Sequence, residues 1–420
     1  MNPTQEEKNR LRELAARYAE IAHSPEMAVK KRQWKALRDL RPERPMILFE
    51  SLSVSGFLKE GELICLSPVL REVEKAMLLA IKHHDEVKDD IVLEKYLQLP
   101  WIVNSSDYGV PLAKHQASNS MAYMPDFPIR APEDLSKLKE RVFTVDREYT
   151  LRLKAIMEDI FGDLLPIRVG NYDNWFQEFG FSLFCGNNSP IITLDAFKLM
   201  GYENMLLWAY DYPEALRELL EVLMEDRRKF FHWLKEEKIF ALNTDNRFAG
   251  FAGYGYVSDL PEADTGESAD PSDCWCWVES QETSVVSPTM FKEWYLPYLA
   301  EYANYFGLVS YGCCEPVDDR FELIKKAIPN VRTVSVSAWN NLELTAEILG
   351  KDVVYCRKPN PAFLSGKNPD WESAKEDIAR TWACTKNQPV EFVVRNVYDV
   401  NGDVQRLARW VEMAKSMIGI

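Results

Sequence analysis

The chain has 420 residues, 46% of them hydrophobic, and a net charge of -15 with no basic stripe. That is ample apolar material for a core, and it excludes nucleic acid as a partner. No apolar run reaches the ~18 residues of a membrane span and residues 1–8 lack the apolar stretch of a secretory leader, so the expectation is no membrane partner and a cytoplasmic protein whose eight cysteines are free thiols.

Residues 1–43 read as a charged N-terminal helical arm ending near Arg41-Pro42, and residues 44–420 as one barrel domain. The run from Arg44 to Glu50 is apolar and predicts a first strand. Residues 68–97 carry a helical pattern in Leu70, Val73, Met77, Leu78 and Ile81, with His83 and His84 near its end. Neighbouring helical residues point apart, so this pair makes no joint metal site. Residues 98–145, rich in Pro and Ser, predict a loop excursion over the active-site face, an ordered lid that contains Asp107, Tyr108 and His115. Leu164 to Gly170 predicts a strand. Asp211 is the expected cap of a long helix with Pro213 in its first turn and Leu216, Leu219, Leu220 and Leu223 on its apolar face. Residues 249–273 read as a second long loop. Gly253 and Gly255 there lack the spacing of a phosphate loop.

From Trp275 the rhythm is regular. Ser287-Pro288 opens a helix with Phe291, Tyr295, Leu299, Tyr302 and Phe306 on one face, stopped by Gly307. A strand to Tyr311 follows, then a helix opened by Asp318 or Asp319. Strand Val331–Val336, helix 341–349, strand 353–355, helix 370–384, strand Val390–Val394 and helix 402–417 complete the chain. Strands alternating with helices predict a parallel sheet with right-handed crossovers, and a closed (β/α)8 TIM barrel is preferred to an open sheet.

In a barrel the residue after each strand faces one mouth, where chemistry is built. Glu279 and Gln281 share a face of an extended segment by period-two spacing. The next strand end supplies Tyr311, Cys313, Cys314 and Glu315. The ones after it supply Ser335, Ser337 and Trp339, then Arg357, Lys358 and Asn360, then Arg395 and Asn396. Thiolates suit zinc, carboxylates can complete a tetrahedral site, and Arg395 has the fork that grips a carboxylate. Two plain alternatives stand beside these. Cys313 and Cys314 are buried fillers, or Glu279 and Arg395 pair at the rim. None of the five histidines lies after His232, so no Ser-His-Asp set is supported and acid-base work falls to Glu279.

Three runs carry a family resemblance: Glu279-Ser-Gln-Glu-Thr, Ser287-Pro-Thr-Met-Phe-Lys-Glu-Trp-Tyr-Leu-Pro297, and Val309-Ser-Tyr-Gly-Cys-Cys-Glu-Pro316. Over residues 145–418 the chain resembles the uroporphyrinogen decarboxylase superfamily. The resemblance implies a (β/α)8 barrel and one of two chemistries. The decarboxylase branch has an Arg-Gln-Ala-Gly-Arg signature, where this chain reads Arg41-Pro-Glu-Arg-Pro. The other branch, corrinoid-dependent methyltransferases of anaerobic metabolism, moves a methyl group to a corrinoid carried by a partner protein, often with zinc held by His-x-Cys and a later Cys. Tyr311 stands at the His position and Cys313 at the Cys, and the later Cys is absent. The resemblance therefore implies an O-demethylase-type methyltransferase acting on a small O- or N-methylated substrate, with a decarboxylase or lyase as the alternative. The implied roles are catalytic for Glu279, Glu315 and Tyr311, and metal-holding for Cys313 and Cys314. Gln281, Ser337, Trp339, Lys358, Asn360, Arg395 and Asn396 would bind the substrate. A homodimer is the assembly expected.

Overall fold

The computed structural model describes residues 3–112, 114–116, 123–172, 192–263 and 269–420. Its centre is a six-stranded sheet and a separate two-stranded one, all parallel. Numbered in chain order, these strands are β1 (Met46–Phe49), β2 (Leu97–Trp101), β3 (Ile167–Tyr172), β4 (Trp275–Val278), β5 (Leu308–Tyr311), β6 (Val331–Val336), β7 (Val354–Arg357) and β8 (Val390–Val394). The large sheet runs β1-β8-β7-β6-β5-β4, and β2 pairs with β3. Every residue of β1, β4, β5, β7 and β8 is buried, as expected for strands covered on both faces.

Side chains take over the ladder at both edges of the large sheet. At β1, the Ile47 and Phe49 N–H groups donate to the carboxylates of Asp90 and Asp89, each at 2.7 Å. At β4, the Asn243 amide accepts from the Trp275 N–H at 2.8 Å and donates to the Trp275 carbonyl at 2.9 Å. Edge groups buried this way would otherwise lack partners. A Cβ on Gly170 of β3 would stand 2.8 Å from the Ala241 side chain, so the segment around 241 passes close to β3 as well as β4.

The expected arm is two helices, Gln5–Ala22 and Pro25–Arg38, that belong to the core. Leu11, Trp34 and Leu37 are fully buried. Arg38, also fully buried, grips Glu391 of β8 through both terminal nitrogens and donates Nε–H to the Tyr254 carbonyl at 2.9 Å.

Several expected boundaries move. The helix expected over 68–97 is Pro68–Lys82, extended by a π-type turn over His83–Val87 and stopped where Lys88 turns left-handed at φ +60°. The chain then recruits Asp89 and Asp90 to the β1 edge and enters β2, which the sequence reading had placed in the loop excursion. The excursion itself is ordered where described, with strands Val103–Ser105 and Phe143–Val145 paired, and Lys114–Gln116 paired with Tyr123–Pro125. His115 lies on that hairpin, and Tyr108 is buried with its hydroxyl donating to Asp195 at 2.9 Å. The long helix is Pro213–Glu236, capped by Tyr212 and not Asp211. Neither Asp318 nor Asp319 caps the helix Phe321–Ala327; Asp318 accepts from Asn340 Nδ2 at 2.6 Å, holding the loop after β6.

The largest revision concerns the loop at 249–273. Its first part is buried: Ala249, Ala252, Tyr254, Tyr256 and Val257 are core residues. Gly253 is what this path requires. A Cβ there would lie 2.4 Å from the Trp34 ring and 2.6 Å from the Glu391 carboxylate. The glycines admit backbone between side chains, which composition alone cannot distinguish from an exposed loop. Among the described residues no helix is long and apolar enough to cross a membrane.

Candidate active site at the carboxyl ends of the strands

The turn after β5 organises the site. Gly312, at φ +92°, lets the chain turn sharply, and its N–H donates to the Val278 carbonyl of β4 at 2.8 Å. Glu315 is then drawn inward. Its carboxylate accepts from the Ser280 N–H at 3.0 Å and the Cys313 N–H at 2.9 Å, tying the loops after β4 and β5 together. Ser280 Oγ lies 2.7 Å from the Tyr311 hydroxyl, which is fully buried.

Glu279 is buried directly after β4. It accepts from the Gln281 N–H at 2.8 Å. Thr193 Oγ1 stands 2.9 Å from Glu282 and 3.5 Å from Glu279, so one hydroxyl bridges two buried carboxyl groups. Burial pushes the Glu279 carboxyl well above the usual range, and the charges of Glu282 and Glu315 push it further. Burial raises Glu282 and Glu315 too, with three backbone N–H groups and Lys358 acting against the rise at Glu315. Three desolvated carboxyl groups so close together hold their protons to higher pH than free carboxyls do.

The thiols lie side by side. Cys313 Sγ and Cys314 Sγ are 3.6 Å apart. The Cys313 thiol is pushed up by its hydrogen bond to Cys314 and by burial. That same bond, aided by the charges of Lys358 and Arg395, brings Cys314 down to about 6. The coupling favours the thiolate on Cys314 over Cys313. Lys358 donates to the Cys313 carbonyl at 3.1 Å, and its ammonium stands 4.7 Å from the centre of the Phe251 ring. The Arg395 guanidinium lies over Phe248 and Phe251 at 4.5 and 4.8 Å. Asn396, left-handed at φ +62°, turns its amide toward Cys314 Sγ at 4.0 Å.

Glu279, Tyr311, Cys313, Cys314, Glu315, Lys358, Arg395 and Asn396 are thus gathered as expected. Others are not. Gln281 is exposed at the start of a tight 3-10 turn, because the strand ends at Val278; Glu282 takes the buried position instead. Trp339 is 73% exposed. Asn360 caps the turn Pro361–Phe363, and Ser337 donates to Asn340 at 3.0 Å. Arg357 is turned away to pair with Asp377. Glu279 and Arg395 do not form the rim pair, since Glu279 is engaged with Thr193 and Gln281.

No family model and no curated protein matches the chain. Among solved structures it is similar to a methyltransferase from Methanosarcina mazei, with a TM-score of 0.49 and 12% identity over 92% of this chain and 98% of that one. At that similarity the chemistry rests on this chain's own residues.

Sequence reasoning missed four contributors. Thr193, Phe248 and Phe251 carry no local signal, and Glu282 was hidden by assuming extended backbone past Val278. The structure also assembles a Ser-His-Asp chain that the sequence did not support: Ser51 Oγ lies 2.6 Å from His83 Nδ1, and His83 Nε2 lies 2.8 Å from Asp89. Asp89 also accepts from Phe49 and Ile91, so this chain ties the end of β1 to the π-type turn. Among the described residues no three His, Cys, Asp or Glu side chains converge as a metal-ligand set.

Proposed function

We propose that this chain is a methyltransferase that moves a methyl group from a small O- or N-methylated donor, such as an aromatic methyl ether, to a corrinoid carried by a partner protein. The observation that carries the reading is the buried cluster of Glu279, Glu282 and Glu315, in which burial and the neighbouring carboxylates raise the proton affinity of Glu279, in a mouth that also holds cations and aromatic rings. Taking a methyl group from oxygen or nitrogen leaves an electron pair on the leaving atom. A protonated Glu279 can donate its proton to that atom as the bond to carbon breaks, so the product leaves neutral. Glu282 and Thr193 hold the proton on Glu279 until then, and Glu315 fixes the two loops that frame the mouth. The reduced corrinoid supplies the nucleophile that accepts the methyl group. Large apolar side chains stand exposed after several strand ends, Leu52 after β1, Val285 after β4, Trp339 after β6 and Tyr398 after β8, which suits a protein partner docking over the mouth.

Cys313 and Cys314 are the residues that would hold zinc. The described residues offer them no third ligand of the usual kind, so no step is routed through a metal. The fold proposed with this function is a closed barrel, in which segments near 89–94 and 239–243 fill the gaps between β1 and β2 and between β3 and β4. The side-chain bonds of Asp89, Asp90 and Asn243 to the sheet edges support it. A carboxy-lyase is the second reading, favoured by the two buried cations Lys358 and Arg395. The two separate on incubation with methylated donors, with and without reduced corrinoid. Corrinoid-dependent loss of the methyl group supports the first reading, and corrinoid-independent release of carbon dioxide supports the second.

A further inference from the structure

Arg395 is 7% exposed, and its Nε and Nη2 atoms are closed to solvent with no hydrogen-bond partner among the described residues. These two nitrogens lie on one edge of the guanidinium and point their N–H groups in parallel. Unfilled buried donors on a charged group are costly, so native structures rarely leave a pair of them empty. The group lies over the Phe248 and Phe251 rings, 4.5 and 4.8 Å from their centres, and these contacts leave the two N–H donors unfilled. Lys358 adds a second positive charge in the same mouth, directed at the Cys313 carbonyl. The Cys314 sulfur lies within electrostatic reach of both cations but bonds neither buried nitrogen of Arg395.

We infer that the donor carries a carboxylate, and that the Nε–Nη2 edge of Arg395 holds it bidentately. The parallel fork matches the two oxygens of a carboxylate. A monoanion fits better than a phosphate dianion, because burying a second charge costs more than this one unpaired fork returns. The aromatic rings beneath the guanidinium favour a flat, apolar body for the rest of the molecule. The carboxylate then sets where the methylated oxygen or nitrogen lies relative to Glu279, which protonates that atom as the methyl group leaves. This inference rests on the methyl-transfer reading for its description of the ligand as a methyl donor.

The test is equilibrium binding by calorimetry, with no methyl acceptor present. The probes are para-methoxybenzoate, its neutral amide, methoxyacetate and inorganic phosphate. The carboxylates are expected to bind the wild-type chain, with the neutral amide and phosphate weaker by about tenfold to a hundredfold, the scale of a hydrogen-bonded charge. Arg395→Gln should lose that discrimination. It should not lower the melting temperature, since it removes two buried donors that lack hydrogen-bond partners among the described residues. Arg395→Lys keeps the charge and loses the fork, so it should bind carboxylates at an intermediate level, and it reads the geometry even where Arg395→Gln folds poorly. Equal binding of the amide, stronger binding of phosphate, wild-type affinity in both variants, or no binding of any probe overturns the inference. A carboxylate that binds through Arg395 but gives up no methyl group refutes the proposed activity and leaves this site standing.

Discussion

Replacing Glu279 by glutamine keeps the acceptor for the Gln281 N–H and removes the ionisable group. In the wild-type chain burial and two neighbouring carboxylates hold the Glu279 carboxyl protonated above its usual range. The variant cannot deliver that proton, and the loss expected for one acid-base group is about 10²-fold to 10⁴-fold in turnover. The loss should depend on the leaving group. Donors whose leaving atom is a weak base need little protonation, so their penalty should shrink toward unity, whereas poor leaving groups should show the full effect. Stability should move in the opposite direction. A carboxyl group whose folded-state pKa is raised contributes stability that is present below its unfolded value near 4.5 and is lost as pH rises through the folded value. Each tenfold displacement of that proton equilibrium amounts to ~1.4 kcal/mol. Glutamine does not titrate, so the variant should gain in melting temperature relative to wild type as pH rises from about 4.5 to neutrality. Single-turnover rates across donors of graded leaving-group acidity, with melting curves across that pH range, check both halves. An equal rate loss for every donor, or a melting-temperature difference that does not change with pH, would refute the role given to the proton.

Cys314 should be alkylated by iodoacetamide with a rate that rises through pH about 6, and Cys314→Ser should abolish that phase, as peptide mass mapping would show. Gly253→Ala should destabilise the chain by about 1–3 kcal/mol in denaturant melts, the usual cost of overpacking, because the added methyl meets Trp34 and Glu391. Asn243→Ala strips partners from both the N–H and the carbonyl of Trp275, and should cost about 2 kcal/mol or more in the same assay. A surface-like tolerance at either position would remove the side-chain account of the sheet edge and the core.

The second half of the chain was legible because each strand is short, apolar and fenced by caps and stops. Val390–Val394 falls on its expected residues, and Ser287 caps its helix by accepting from the Met290 N–H. The first half was not legible in this way. β2 sits against a stretch rich in Pro and Ser, and the extended residues before it continue the apolar pattern of the preceding helix. The buried segment at 249–257 has the glycine content of a loop, although the glycines serve close packing. In the site, the residues after each strand were found by position, but partners from elsewhere were not. Thr193 stands 89 residues before Glu282, and nothing local marks their meeting. The Ser51–His83–Asp89 chain was hidden for the same reason, since Ser51 and His83 are 32 residues apart.

The central claim is that a methyl group, and not a carboxyl group, leaves the substrate. It is tested most directly with para-methoxybenzoate labelled separately in its methyl and carboxyl carbons, incubated with the wild-type chain and reduced corrinoid. The account predicts that the methyl label passes to the corrinoid while the carboxyl label stays on the ring. Carboxyl label released as carbon dioxide, with the methyl label still on oxygen, would contradict it.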